Sequence, residues 1–284
     1  MYNLEVSNMT KALELEREIV GVRFLYNWAE YEDTKCENYG KITRFCLMTK
    51  NASNGEHFKC KLENFGCGRS RKALGLDEND KLTMSGQVFY SCSLYSTRAV
   101  AKKAQDATLF IEQELYGIEI GPLNELAEAD IVIFYANAYQ MMRIIQGYTY
   151  NYGPYKGLNT VGNQGVCSDL CARPFVTNDM NISFLCEGAR RACKFNHDVI
   201  GVGLPIGLFK GLVDGVLKTL DLIENDNEKE KILGRLNSKD ELGVAINMGN
   251  YYGVACGKWY KKKKEDEKRY EEFLKAEASN AENS

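Results

Sequence analysis

Ten cysteines and two histidines are spread along 284 residues, and four of the cysteines stand in two stretches of matching design. The first runs from Phe45-Cys46 to Phe65-Gly66-Cys67-Gly68-Arg69-Ser70-Arg71. The second runs from Val166-Cys167 to Phe184-Leu185-Cys186-Glu187-Gly188-Ala189-Arg190-Arg191. In each, a cysteine is followed 21 or 19 positions later (46 to 67, 167 to 186) by the cysteine of Phe-x-Cys, with glycine and two arginines close behind. An internal repeat of this kind predicts two units packed about a pseudo-twofold axis, which brings equivalent positions together. Cys46, Cys67, Cys167 and Cys186 are therefore expected to converge as a metal site. A [4Fe–4S] cluster is the first expectation and zinc the alternative.

The surrounding residue types suit that chemistry. Glycine beside Cys67 and two positions after Cys186 lets backbone N–H groups turn toward sulfur, where they stabilise thiolate and tune a cluster. Arg69, Arg71, Arg190 and Arg191 are candidate cofactor contacts, because cations offset the negative charge of four thiolates. Zinc knuckles usually draw ligands from short C-x₂₋₄-C pairs, whereas these pairs are widely spread, which favours a cluster bridging two halves. Cys36, Cys60, Cys92, Cys193 and Cys256 match no repeat position and read as ordinary thiols. Cys171 lies one helical turn after Cys167 and could share a metal, but Lys50 occupies the corresponding place after Cys46. His57 and His197 fall at no matching position and are left out of the site. The phosphate-loop, H-E-x-x-H and G-x-S-x-G motifs do not occur.

The elements that must position these residues repeat in order. Helix Met9 to Glu18 leads into a strand at Ile19 to Tyr26, then a short helix from Ile42 to Lys50 carries Cys46. Cys67 follows a loop, a strand is expected at Gln87 to Tyr90, and a long helix over Thr97 to Tyr116 with Val100, Ala104, Ala107, Phe110 and Ile111 on its buried face. The second unit restarts with a strand at Ile131 to Tyr135, a helix at Ala136 to Gln146 and a Gly- and Tyr-rich loop from Gly147 to Gly165, a candidate lid. Cys167 then sits on a helical turn, Cys186 in a loop, a strand at Asp198 to Pro205, and a helix at Leu208 to Ile223. The expected fold class is α/β, with halves at 1–118 and 119–225 around a shared site and an extension at 226–284 ending in a charged helix.

A net charge of −3 and a pI near 5.7 argue against a nucleic-acid binder. The four lysines Lys261 to Lys264 are answered by the acidic residues directly after them, and no apolar run is long enough to cross a bilayer. The N-terminus lacks a signal-peptide pattern, so a cytoplasmic location is expected, and thiols in a reducing cytosol point to metal or redox duty rather than disulfides. A redox partner or a small-molecule substrate is implied, and a homo-oligomer is compatible with the sequence.

Phe45-Cys46, Cys67-Gly68, the strand Asp130-Ile131-Val132-Ile133 with Asn137 after it, Cys167-x-Asp169 and Phe184-Leu185-Cys186-x-Gly188-x-Arg190 together resemble the archaeal and bacterial family called domain of unknown function 169. The resemblance covers roughly Leu13 to Leu220. It implies cysteines at the positions of Cys46, Cys67, Cys167 and Cys186, and it carries no established activity. Cys60, Cys171 and Cys193 are additions in this member. The function expected is cluster-based redox or electron transfer in an anaerobe. Two alternatives stay open: an enzyme whose open iron acts on a small anionic or sulfur-containing substrate, with Arg69 and Arg190 as anion contacts, and a zinc-stabilised non-catalytic protein.

Overall fold

Isoleucine, valine and aromatic runs bounded by turns become strands here, and together with shorter, more polar segments they form one mixed sheet of seven strands flanked by helices. The computed structural model describes residues 2–220, 225–236 and 268–275. The strands are β1 (Val20–Leu25), β2 (Glu37–Asn38), β3 (Phe58–Lys61), β4 (Gly117–Pro122), β5 (Ile131–Ala136), β6 (Asn181–Ser183) and β7 (Ile200–Pro205), in the spatial order β2-β3-β4-β1-β5-β7-β6. All neighbours are antiparallel except β2 and β3.

Without the two-residue β2, the order reads alike from either edge, with β1 and β5 paired at the centre. The registers also agree. Val20, first in β1, faces Pro122, and Ile131, first in β5, faces Pro205. Phe58 of β3 faces Ile120, and Asn181 of β6 faces Gly203, each two residues before that proline.

Period-two alternation divides the core between the faces of the sheet. Val132 and Phe134 of β5 pack with the helices Asn3–Leu13, Ala138–Tyr152 and Ile206–Lys218. Ile131, Ile133 and Tyr135 face the opposite side, under the helix Phe45–Ala52 and the π-helical segment Gly165–Ala172. The repeat cysteines belong to this second face, where Cys46, Cys167 and Cys186 pack partly buried against the core.

Three local expectations are corrected. Gln87 to Tyr90 is not a strand but the start of a short helix, Gln87–Ser91, in which only Phe89 is buried, so one apolar contact per turn replaces strand alternation. Gly86 before it takes a left-handed φ of 74°, and a Cβ there would lie 2.5 Å from the Lys102 nitrogen, so glycine permits the contact with the next helix. That next helix ends at Ala107, where the Thr108 hydroxyl donates to the Ala104 carbonyl (2.9 Å), and the chain returns as β4. Its buried face is Ala101 and Gln105, one position off the apolar stripe, and Val100 is exposed. The helix after β5 continues to Tyr152 and stops at Gly153, so the loop is shorter than expected. The expected charged C-terminal helix lies largely outside the described residues, although 268–275 is helical.

Candidate metal centre

Each cysteine of the repeat is brought in by a different local device. The helix carrying Cys46 starts at Phe45, and just before it Thr43 forms a parallel bridge with Phe65 while the Gly66 N–H donates to the Thr43 carbonyl (2.7 Å). This clasp fixes Cys67 beside the start of the Cys46 helix. Cys67 then leads the helix Gly68–Ala73, its carbonyl accepting from the Ser70 hydroxyl (2.8 Å).

Cys167 sits in a π-helix, a rare form frequently found at functional sites. Asp169 ties that segment to β6, accepting from the hydroxyls of Thr160 (2.7 Å) and Ser183 (3.2 Å), while the Asn181 amide donates to its carbonyl (2.8 Å). Burial pushes the Asp169 carboxyl up to about 6. β6 runs directly into Cys186 through Leu185, which is held at φ 67°, a left-handed conformation uncommon for leucine. A Cβ on Gly165 would lie 2.7 Å from the Cys186 nitrogen, so glycine lets the Cys167 segment and the Cys186 loop touch.

Cys46, Cys67, Cys167 and Cys186 all line one cavity of about 590 Å³. Burial first, then the neighbouring thiols of Cys67 and Cys186, pushes the Cys167 thiol well above its ordinary value. Coordination to a metal inverts this and removes the proton outright. Four cations, Arg44, Arg69, Lys72 and Arg191, border the cavity against two carboxylates, Asp80 and Glu187, leaving a positive surround. Two amides also face it. Gln105 and Gln164 are each 1% exposed, and Gln105 Nε2 and both amide atoms of Gln164 have no hydrogen-bond partner.

Residues 8–215 match the model of a family described as "Uncharacterised ArCR", domain of unknown function 169. The chain belongs to this family. It is also similar to the "Uncharacterized protein MJ0308" of Methanocaldococcus jannaschii, 23% identical over 152 residues that make up 53% of this chain. The match spans 65% of that relative's length. No solved structure matches the chain.

In this family member the four arginines of the repeat do different things. Arg69 borders the cavity, lies 4.8 Å over the Phe89 ring and donates to the Cys92 sulfur (3.4 Å). Arg191 borders it too and pairs with Glu187 at 3.3 Å. Arg71 turns to Asp77 (2.8 Å), and Arg190 donates to the carbonyls of Phe184 (2.8 Å), Val199 (2.6 Å) and Asn196, which staples the Cys186 loop to the approach to β7. Cys171 is fully buried in the core and is not among the residues lining the cavity. The tyrosines of the glycine-rich stretch pack on one another, Tyr148 against Tyr152 and Tyr155, and only Asn163 and Gln164 at the end of that stretch reach the cavity.

Sequence reasoning missed several participants, Gln164 and Lys72 among them. Cys193 Sγ is hydrogen-bonded to Cys46 Sγ at 3.3 Å, which raises the Cys46 thiol and lowers that of Cys193. Gln105 lay off the apolar stripe, and a buried polar residue on an otherwise apolar helix face was its only signal. Arg44, directly before Phe45-Cys46, was legible as a cation next to a ligand. Cys256 lies outside the described residues.

Proposed function

We propose that Cys46, Cys67, Cys167 and Cys186 hold a [4Fe–4S] cluster and that the protein serves in one-electron transfer. The observation that carries this is the meeting of all four repeat cysteines, from four separate elements, on one cavity. The site fits such a group in three further ways. The cations around it match a negatively charged cluster. The unpaired amides of Gln105 and Gln164 are donors of the kind that bond cluster sulfur. No three of these sulfurs form a set within 4.8 Å of one another among the described residues, whereas one tetrahedral ion with zinc–sulfur bonds near 2.3 Å needs them roughly 4 Å apart. Among the described residues, the set of three metal-ligating atoms that all fall within 4.8 Å of one another is a different one, Cys36, His57 and Glu119. When bound, the cluster supplies a site for one electron, and the protein's part is to hold, screen and tune it.

The palindromic strand order and matched proline registers support a duplicated unit, in which β1, β3 and β4 correspond to β5, β6 and β7. A second reading, a cluster enzyme acting on a small anionic substrate, is favoured by the size of the cavity, which falls in the range of small-molecule sites, and by Arg69, Lys72 and Arg191 around it.

Anaerobic reconstitution with iron and sulfide tests the cluster. About four irons per chain with a brown chromophore is expected, lost in Cys67→Ser and Cys186→Ser and kept in Cys60→Ser. A colourless protein holding one zinc would reject the reading, as would equal iron loss in all three variants. Perturbation of the paramagnetic spectrum by small thiols, carboxylates or cyanide separates the enzyme from the carrier.

A further inference from the structure

Alternation along β4 sends Ile118 and Ile120 into the core on the cysteine side of the sheet and Glu119 to the other face. There three side chains of different ligand type meet. Sγ of Cys36, an imidazole nitrogen of His57 and a carboxylate oxygen of Glu119 all lie within 4.8 Å of one another. We propose that these residues form a second metal site, a zinc site with three protein ligands and a fourth position open to solvent.

The donor set is the first argument. Thiolate, imidazole and carboxylate are the ligand types zinc takes, and three protein ligands with one open position is the arrangement of a site that keeps a water. Bond lengths of 2.0–2.3 Å require ligand atoms roughly 3–4 Å apart, and the three atoms here lie within 4.8 Å of one another, His57 and Glu119 at 2.9 Å. Orientation is the second. His57 Nε2 lies 2.9 Å from Glu119 Oε1, while its Nδ1 lies 3.4 Å from Glu125 Oε2. A carboxylate on the far ring nitrogen is the outer partner that metal-bound histidines characteristically have, leaving Nε2 for the ion. Arg23 stands 3.6 Å from the other Glu119 oxygen, Oε2, so Oε1 remains for the metal.

Burial and fit are the third. Glu119 is 5% exposed and its Oε2 has no hydrogen bond, its charge being met in the absence of a metal by Arg23 and the His57 ring, a role that a divalent ion bound at Oε1 would take over from the imidazole. A Cβ on Gly121 would lie 2.6 Å from His57 Cδ2, so glycine there is what lets the ring lie against β4 in this pose. Cys36 and His57 are half-buried, so the site lies within reach of water. Thiolate and carboxylate together neutralise a divalent ion. The site shares no residue with the cysteine cavity, and its fate is independent of the cluster.

Cobalt(II) is the probe, added to the iron-loaded full chain. One equivalent is expected to give a thiolate-to-cobalt charge-transfer band that zinc displaces. Cys36→Ser and Cys36→Ala should abolish the band, His57→Gln should weaken binding at least 10-fold, and Glu125→Gln about 10-fold. Cys92→Ser, at an exposed thiol elsewhere, should leave it intact, and all variants should keep the parent's iron content and circular dichroism. Absence of a band in the folded parent, or a band that survives loss of the Cys36 thiol, would mean that Arg23, Glu119 and His57 form only a metal-free ion-pair network.

Discussion

Gln164 has a backbone carbonyl that accepts from the N–H groups of Ser168 and Asp169, opening the segment that carries Cys167, while its buried side-chain amide has no partner at all. A buried amide left unpaired costs on the order of 1–3 kcal/mol, and a cluster held by the four neighbouring thiols would offer it an acceptor. Replacing it isosterically tests that without disturbing the ligands. Gln164→Leu is expected to keep iron content and to lower the reduction potential, since an N–H donor stabilises the more negative, reduced cluster. A hydrogen bond of about 1 kcal/mol corresponds to a shift of up to about 40 mV for one electron. A redox titration followed by electron paramagnetic resonance reads it, and an unchanged potential would place the amide outside the cluster's surroundings. Cys193 matched no repeat position, because its partnership with Cys46 arises from the fold of the second half against the helix of the first, 147 residues away in sequence.

At the scale of elements, the approach of the Cys167 segment to the Cys186 loop depends on a missing side chain. A methyl on Gly165 would press on the Cys186 nitrogen at 2.7 Å and the Leu185 Cα at 2.7 Å, both backbone atoms that cannot swing aside. Gly165→Ala is expected to cost about 1–3 kcal/mol and to reduce iron loading. Gly157→Ala, whose nearest contact would be an ordinary 3.6 Å, is expected to change neither. Chemical denaturation and iron analysis of the two variants check this, and equal behaviour would show that the close approach does not position the thiols. Such contacts explain what was legible beforehand. The strands at Ile19 to Tyr26, Ile131 to Tyr135 and Asp198 to Pro205 were readable because buried strands concentrate β-branched and aromatic residues. β6 was not, because Asn181 and Ser183 are polar residues held by hydrogen bonds to Asn159 and Asp169. β4 was hidden because Gly117, Glu119 and Gly121 interrupt its apolar residues, the glycines making room for Tyr31 and His57. The candidate ligands needed only the spacing of cysteines, whereas the amides and the Cys36 set needed the sheet.

At the scale of the whole molecule, the sheet stands between the cysteine cavity and the long helices. The cysteine cavity draws its lining from Arg44 to Arg191, on one face. The other face is packed by the long helices, and onto them comes the segment Asp226–Arg235, beyond the end of the family match at residue 215. Ile232 and Leu236 are buried there with Met9 and Leu13, and the Arg235 guanidinium donates to the Lys11 carbonyl (3.0 Å) and pairs with Glu14 (2.7 Å). Burying two large aliphatic side chains contributes roughly 3–6 kcal/mol as an upper bound, and the exposed ion pair adds little. A chain ending at residue 220 is therefore expected to melt about 10 °C below one ending at residue 236, at roughly 2–4 °C per kcal/mol for a domain of this size. Both should bind the same iron, because neither cut removes a residue of the cavity. Calorimetry with iron analysis separates the outcomes. Equal melting temperatures would show that the segment is only draped on the surface, and iron lost on cutting at residue 220 would show that the two faces of the sheet are coupled rather than divided in labour.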